Sequence, residues 1–373
     1  MTGDANIEVG GSATEVVLSG DITEAGSRTL TKLGEGRAVL TGTNTFTGGV
    51  NINAGSLELD SDESANGGDI ALASGTTLAA NGTFTMSSNV AFNGASSFDV
   101  SSGTITVSGN VTDAGSAGMT KTGSGDLTIS GDTTIDGPLA ITGGALTLTG
   151  GGSLPAANGV TMSHGTTLNL STSSATLTTA FLSGRGTVAL GGNTLTVGNA
   201  TDAATFSGNM TGSGSLVKMG SARNSINVGT SSYSGTIIVN GGELNLNGTL
   251  PSDVTVGSGA IFSGAASISS LTNDSRGTVS PGNSIGTITI SGNYTQEHDA
   301  ALTIELDQTS SSKLDVSGDA SLNGSLIVDF IQGTHLKGKT YTIVEASNVS
   351  GTFNHTNLNQ LPVLMSLCMS RRQ

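Results

Sequence analysis

One block returns three times along this chain in near-constant register, and nothing else in the sequence constrains the fold as strongly. Lys32-Leu33-Gly34, Lys121-Thr122-Gly123 and Lys218-Met219-Gly220 open the copies. Eight positions past each lysine stands an aliphatic residue (Leu40, Ile129, Ile226), and a turn glycine follows at Gly42, Gly131 and Gly229. Next comes a large apolar residue with glycine two places on: Phe46/Gly48, Ile135/Gly137, Tyr233/Gly235. The copies close on Gly55-Ser56-Leu57-Glu58-Leu59, Gly144-Ala145-Leu146-Thr147-Leu148 and Gly242-Glu243-Leu244-Asn245-Leu246. These closing glycines lie 23, 23 and 24 residues after their lysines, the third because one residue is inserted ahead of Gly229. A unit this short cannot bury an apolar face alone, so neighbouring units must stack.

Inside each block the apolar residues alternate, Val50/Ile52, Leu139/Ile141 and Ile237/Val239, before the paired leucines. Period two over short runs broken by Gly, Asn and Ser predicts strands; no i, i+3, i+4, i+7 stripe predicts a helix. A looser echo follows each block, in Ile70…Gly75-Thr76-Thr77-Leu78, Val160…Gly165-Thr166-Thr167-Leu168 and Val254…Gly259-Ala260-Ile261-Phe262. A coil of one turn per ~20–25 residues, about 15 turns in all, pairs every strand in parallel with its copy above. The expected fold is therefore all-β, a right-handed single-stranded parallel β-helix, since parallel crossovers are right-handed. Inward Val, Ile, Leu and Phe form its core, and glycine serves corners that need φ > 0. Aromatic residues are only 3% of the chain, which argues against a propeller with aromatic blade signatures.

Charged residues make up 11% of the chain, too few for a self-repelling disordered segment. Acids outnumber bases 28 to 13, and the formal charge of −15 excludes the basic face that nucleic acid requires. A single cysteine, Cys368, cannot form an internal disulfide, so burial and hydrogen bonding must hold the fold. Met1-Thr2-Gly3-Asp4 lacks the basic and apolar regions of a signal peptide, and no apolar stretch approaches the ~20 residues of a membrane helix. No C-terminal series of ~10-residue alternating barrel strands is evident, so direct membrane insertion is not expected.

The stretch from Lys32 through Gly49, continued by Val50-Asn51-Ile52-Asn53-Ala54-Gly55-Ser56-Leu57, resembles the passenger-associated transport repeat of autotransporters. The copies at Lys121 and Lys218 resemble it more loosely. A second resemblance runs through Gly277-Thr278-Val279-Ser280-Pro281-Gly282-Asn283-Ser284-Ile285-Gly286-Thr287, Gly292-Asn293-Tyr294-Thr295-Gln296, Leu314-Asp315-Val316-Ser317-Gly318 and Tyr341-Thr342-Ile343-Val344. It is similar to the C-terminal end of autotransporter passengers. Together the resemblances cover roughly residues 25 to 353. They imply a β-helical passenger exported through an outer-membrane β-barrel translocator that is not in this chain, its C-terminal rungs helping folding to start outside the cell. On this reading residues 1–270 are passenger repeats, 271–353 are pre-barrel rungs and 354–373 are an atypical tail. The pattern stops after about Thr352-Phe353, and the tail reads as a frame disruption or as an ordinary frayed terminus.

Several motifs carry the outward form of chemistry. Gly282-Asn283-Ser284-Ile285-Gly286 fits the G-x-S-x-G elbow, but that elbow needs a following helix and Thr287-Ile288-Thr289-Ile290 predicts a strand. The histidines, His164, His298, His335 and His355, show no metal-ligand spacing, and His298-Asp299 reads as part of a polar turn. Asp60, Asp62 and Glu63 read as an exposed acidic loop in preference to a calcium site, and Gly123-Ser124-Gly125-Asp126 only grazes the nonapeptide of calcium β-rolls. Glu305 and Asp307 alternate with Ile304 and Leu306, which puts them on the outward face of a strand without the fixed separation of a glycosidase pair. No catalytic, cofactor-binding or metal-ligating residue is therefore assigned. The expected function is a non-catalytic adhesive stalk at the cell surface, its partner a host or bacterial surface ligand, protein or glycan. Two rivals stand beside it: the remnant of a disrupted gene without independent function, and a β-helical polysaccharide-degrading enzyme.

Overall fold

A computed structural model describes residues 1–61, 68–154, 158–173, 177–198, 203–331, 338–359 and 366–372. Every regular element among them is a β-strand, and the strands stack in parallel as a β-solenoid of about 16 turns. Asp62, Glu63 and His335 lie outside the described residues, as does the stretch 360–365 of the tail. The fold divides into two units, Met1–Asn193 and Thr194–Gln373.

In the first unit the strands build three faces, the early turns contributing to two of them. The first face runs from Ala5–Glu8 through Leu30–Leu33, Val50–Ile52 and Ile70–Leu72 to Gly152–Ser153. The second runs from Glu15–Leu18 through Ser56–Leu59 and Met119–Thr122 to Leu182–Gly184. The third begins at Phe84–Met86 and includes Thr104–Val107 and Asp126–Ile129. Register follows the alternation of the sequence. Leu30, Val50, Ile70, Val90 and Val111 lie one above another on the first face, and Leu57, Leu78 and Phe98 on the second. All of these residues are buried, so neighbouring turns share one continuous core.

The repeat is not locked to one face of the coil. Lys32 stands in a strand of the first face and Lys121 in a strand of the second. What the block specifies is thus a corner and the strands on either side of it. The large residues Phe46, Ile135 and Tyr233 are all buried. The glycine two places after each leaves no room for a side chain: a Cβ there would lie 2.3, 2.1 and 1.6 Å from backbone atoms of the turn before, at Arg28, Gly118 and Gly214.

In the second unit one face runs from Leu195–Val197 through Leu216–Lys218, Ile237–Val239, Leu271–Asn273 and Tyr294–Gln296 to Asn348–Gly351. Opposite it lie longer strands, Arg223–Thr230 and Glu243–Thr249, and then shorter ones, because Glu243–Thr249 pairs with both Ile261–Gly264 and Ala266–Ile268. Past Phe353, where the sequence pattern fades, the fold continues. His355–Asn359 pairs in parallel with Ser325–Phe330, and Ser366–Arg371 with Thr340–Ala346. Backbone pairing needs no side-chain pattern, and the loss of pattern shows instead as exposed apolar residues, Leu358 and Met369.

Candidate functional site

The opening lysines of the repeat are buried, at 0%, 0% and 1% exposure. Each sits in a column of apolar residues: Lys32 between the half-buried Ile7 and the buried Ile52, Lys121 between Phe98 and Ile141, Lys218 between Val197 and Val239. The ammonium reaches the corner and donates to several backbone carbonyls there, one of which, Leu33 O, also accepts from Val9 N. Lys32 Nζ donates to Leu33 O (2.9 Å), Gly34 O (2.7 Å) and, from the next turn, Ala54 O (3.1 Å). Lys121 repeats the arrangement with Thr122 O, Gly123 O and Gly143 O and adds Gly125 O at 2.8 Å. Lys218 donates to Met219 O, Gly220 O and Gly241 O. Burial pulls all three ammonium groups below their ordinary value; Asp99 and Asp126 oppose this at Lys121, and Glu35 does so at Lys32. The repeat's cation is thus a corner post, its charge spread over carbonyl dipoles of two turns.

Polar corner posts continue along the same column of the second unit, where the register runs from Lys218 through Val239 and Val256 to Asn273 and Gln296. Asn273 Nδ2 donates to Ala301 O at 2.8 Å. Gln296 Nε2 lies 3.2, 2.7 and 3.0 Å from Ala300 O, Asn323 O and Ser325 O, while Tyr294 Oη donates to its Oε1.

The outward side of the second unit carries a cleft of about 320 Å³. Arg223, Glu243, Ile261 and Thr278 come to it as successive members of one register column, and Ser263 and Ser280 from the next. Thr303 and Glu305 complete the floor, and the turn Gly282-Asn283-Ser284 forms one wall. That turn is held over the sheet by an antiparallel bridge between Gly264 and Gly282.

Six side chains, four of them lining the cleft, close a ring. Arg223 Nη2 donates to Asn283 Oδ1 (3.0 Å), and Asn283 Nδ2 to Asn247 Oδ1 (3.1 Å). Asn247 Nδ2 donates to Asn245 Oδ1 (2.8 Å), and Asn245 Nδ2 to Ser263 Oγ (2.8 Å). Ser263 Oγ donates to Glu243 Oε1 (2.5 Å), which pairs back with Arg223 Nε at 3.1 Å. Such a ring fixes its members' orientations, because each is both held and holding.

The residues singled out from sequence fall variously. Ser284 lies on the cleft wall, in a turn between Thr278–Pro281 and Thr287–Ile290, two strands. Glu305 faces outward from Ala301–Leu306 and reaches the cleft floor. Asp307 does not share that face: it stands just past the strand, where its carboxylate accepts from Thr309 N and Ser310 N and is held below its ordinary value by them. His298 Nδ1 and Asp299 Oδ1 are 3.0 Å apart in an exposed turn away from the cleft. His164 and His355 are exposed, and among the described residues no three of His, Cys, Asp and Glu come together. Sequence reasoning missed the inward lysines, although Leu30-x-Lys32, Met119-x-Lys121 and Leu216-x-Lys218 carry the alternation that turns them inward. It also missed the ring, whose members span residues 223 to 283.

Parallel solenoid, corner lysines and outward cleft define a repeat protein whose signature residues build its wall. The passenger-associated-transport-repeat family model matches residues 30–59, 119–154 and 216–246. The chain carries three of these repeats, and with the β-solenoid they fit an autotransporter passenger domain, a family setting that implies a surface or secreted protein. No curated protein matches the chain.

Proposed function

We propose that this chain is a non-catalytic stalk displayed at the cell surface, the passenger portion of an autotransporter, and that it serves adhesion. The observation that carries the reading is the use made of the repeat: its lysines and glycines are spent on corners and close approaches, so the motif's chemistry is architectural. Outward positions are left to Thr, Ser and Asn, which suit a surface that meets ligands through hydrogen bonds. The partner would be a protein or glycan of a host or bacterial surface, and export would use a β-barrel translocator.

The test is display of the chain between a signal peptide and an outer-membrane barrel on a bacterial host. Intact cells are treated with protease and scored for retention on host cells and glycan-coated surfaces, while polysaccharide digests are assayed for new reducing ends. Protease-accessible chain with raised retention and no sugar release supports the reading. Release of reducing ends overturns its non-catalytic part, and a chain that never reaches the outside overturns the surface role.

A further inference from the structure

We propose that the cleft walled by Asn283 and floored by Ser280, Thr303 and Glu305 binds one or two residues of an uncharged saccharide. Its volume, about 320 Å³, is at the low end of the ~300–1,000 Å³ of small-molecule sites. Four ring members, Arg223, Glu243, Ser263 and Asn283, line it and are bonded within the ring, so that side of the cleft is preorganised. The Ser280 and Thr303 hydroxyls and the Glu305 carboxylate line the same space, and among the described residues their side chains have no hydrogen-bonded or ionic partner. Ser280 stands one strand spacing, about 4.8 Å, from Ser263, whose hydroxyl is taken up in the ring, so Ser280 and Thr303 are the hydroxyls left for a ligand. Ile261, exposed at the rim, offers an apolar patch to the C–H face of such a ring.

Charge selects within the class. The Arg223 guanidinium is already engaged by Glu243 and Asn283, which leaves Glu305 as the cleft's charge without an ionic partner among the described residues, in a chain of net −15. A uronate, sialate or phosphate would be repelled. A peptide is a poorer fit, because Ile261–Gly264 is paired on both sides, with Glu243–Thr249 and Thr278–Pro281, and offers no free strand edge for β-addition. A neutral polyol, accepting from hydroxyls and donating to a carboxylate, matches what remains.

The inference rests on the adhesive half of the proposed function, and the two fail separately: the display experiment reads retention wherever a ligand sits, whereas the purified chain reads the cleft alone. Cellotriose, mannotriose and chitotriose are titrated by calorimetry and ligand-observed NMR, with trigalacturonate as the charged counter-probe. At least one neutral probe is expected to bind with Kd of about 1 mM or tighter. Glu305→Gln should weaken it about tenfold, and Thr303→Arg, which fills the floor from an outward position, should abolish it. Both variants keep the core side chains, and circular dichroism checks that they fold. The proposal is overturned if no neutral probe binds, if trigalacturonate binds best, or if both folded variants bind as the parent does.

Discussion

A lysine inside a solenoid wall is stable because its ammonium donates to several corner carbonyls at once, which offsets the cost of burying the charge. Lys121 serves four, one of them, Gly125 O, fully buried with it. Lys121→Met keeps the apolar stem and removes the donors, so the corner carbonyls are left dry. We expect a loss of about 1–3 kcal/mol, read as a lower urea midpoint with an unchanged m-value. A midpoint that does not move would mean that water replaces the ammonium without cost. Asn224 presents the converse case. It is 4% exposed, and neither its Oδ1 nor its Nδ2 meets a partner among the described residues. Six positions after the lysine, the other copies hold Ala38 and Leu127, both fully buried. Asn224→Leu should therefore stabilise the chain by about 1 kcal/mol or more, through release of an unsatisfied buried amide. A thermal melt of the variant at or below the parent's would show that the amide has a partner in solution.

At the scale of the strand and its corner, much was legible before any coordinates. Period-two runs placed Val50/Ile52, Leu139/Ile141 and Ile237/Val239 inward, and all six are buried in strands with parallel partners. The same alternation pointed Lys32, Lys121 and Lys218 inward, but the cost of burying a charge argues the other way until the carbonyls are in view. The cleft was not legible, because Arg223 and Asn283 are 60 residues apart and only the turn-by-turn register brings them together. Nor did the sequence distinguish the jobs of the glycines. Gly144, the closing glycine of the second copy, has φ of +58°, and a Cβ there would lie 2.1 Å from Gly125 O. Gly75 has φ of +78° with nothing within 4 Å of its Cβ position. Gly75→Ala should thus cost only the left-handed strain, about 1–2 kcal/mol. Gly144→Ala adds the displacement of a neighbouring turn, about 1–3 kcal/mol more. Denaturant titration of the pair separates the two terms; equal losses would mean that turns slide apart freely at their corners.

At the scale of the whole molecule, a solenoid's stability is a sum of turns and of interfaces between adjacent turns, so its length should be adjustable in whole turns and in no smaller step. Residues 90–110 of the first unit make one such turn, with strands Val90–Phe92, Ser96–Val100 and Thr104–Val107 on the three faces. Their partners below include Ile70, Leu78 and Phe84, and those above Val111, Lys121 and Leu127. Excising 90–110 therefore sets Val111 on Ile70, Lys121 on Leu78 and Leu127 on Phe84, inward residue on inward residue. The lysine keeps every carbonyl it uses, since these come from residues 122 to 125 and from Gly143 above. What is lost is one turn's share of burial and the 2.6 Å bond from Thr122 Oγ1 to Asp99. Excising only 95–105 removes fewer residues and should do more damage. It takes out the strand of the second face and the head of the next, so Thr77–Ala80 and Met119–Thr122 face each other across a missing rung. Backbone groups on both strands are then unpaired next to the core, a cost of about 1–3 kcal/mol for each one left dry. The longer deletion is expected to melt cooperatively and resist protease, and the shorter to be cleaved within the first unit. If the shorter deletion proved the more stable, register between turns would not be what holds this fold together.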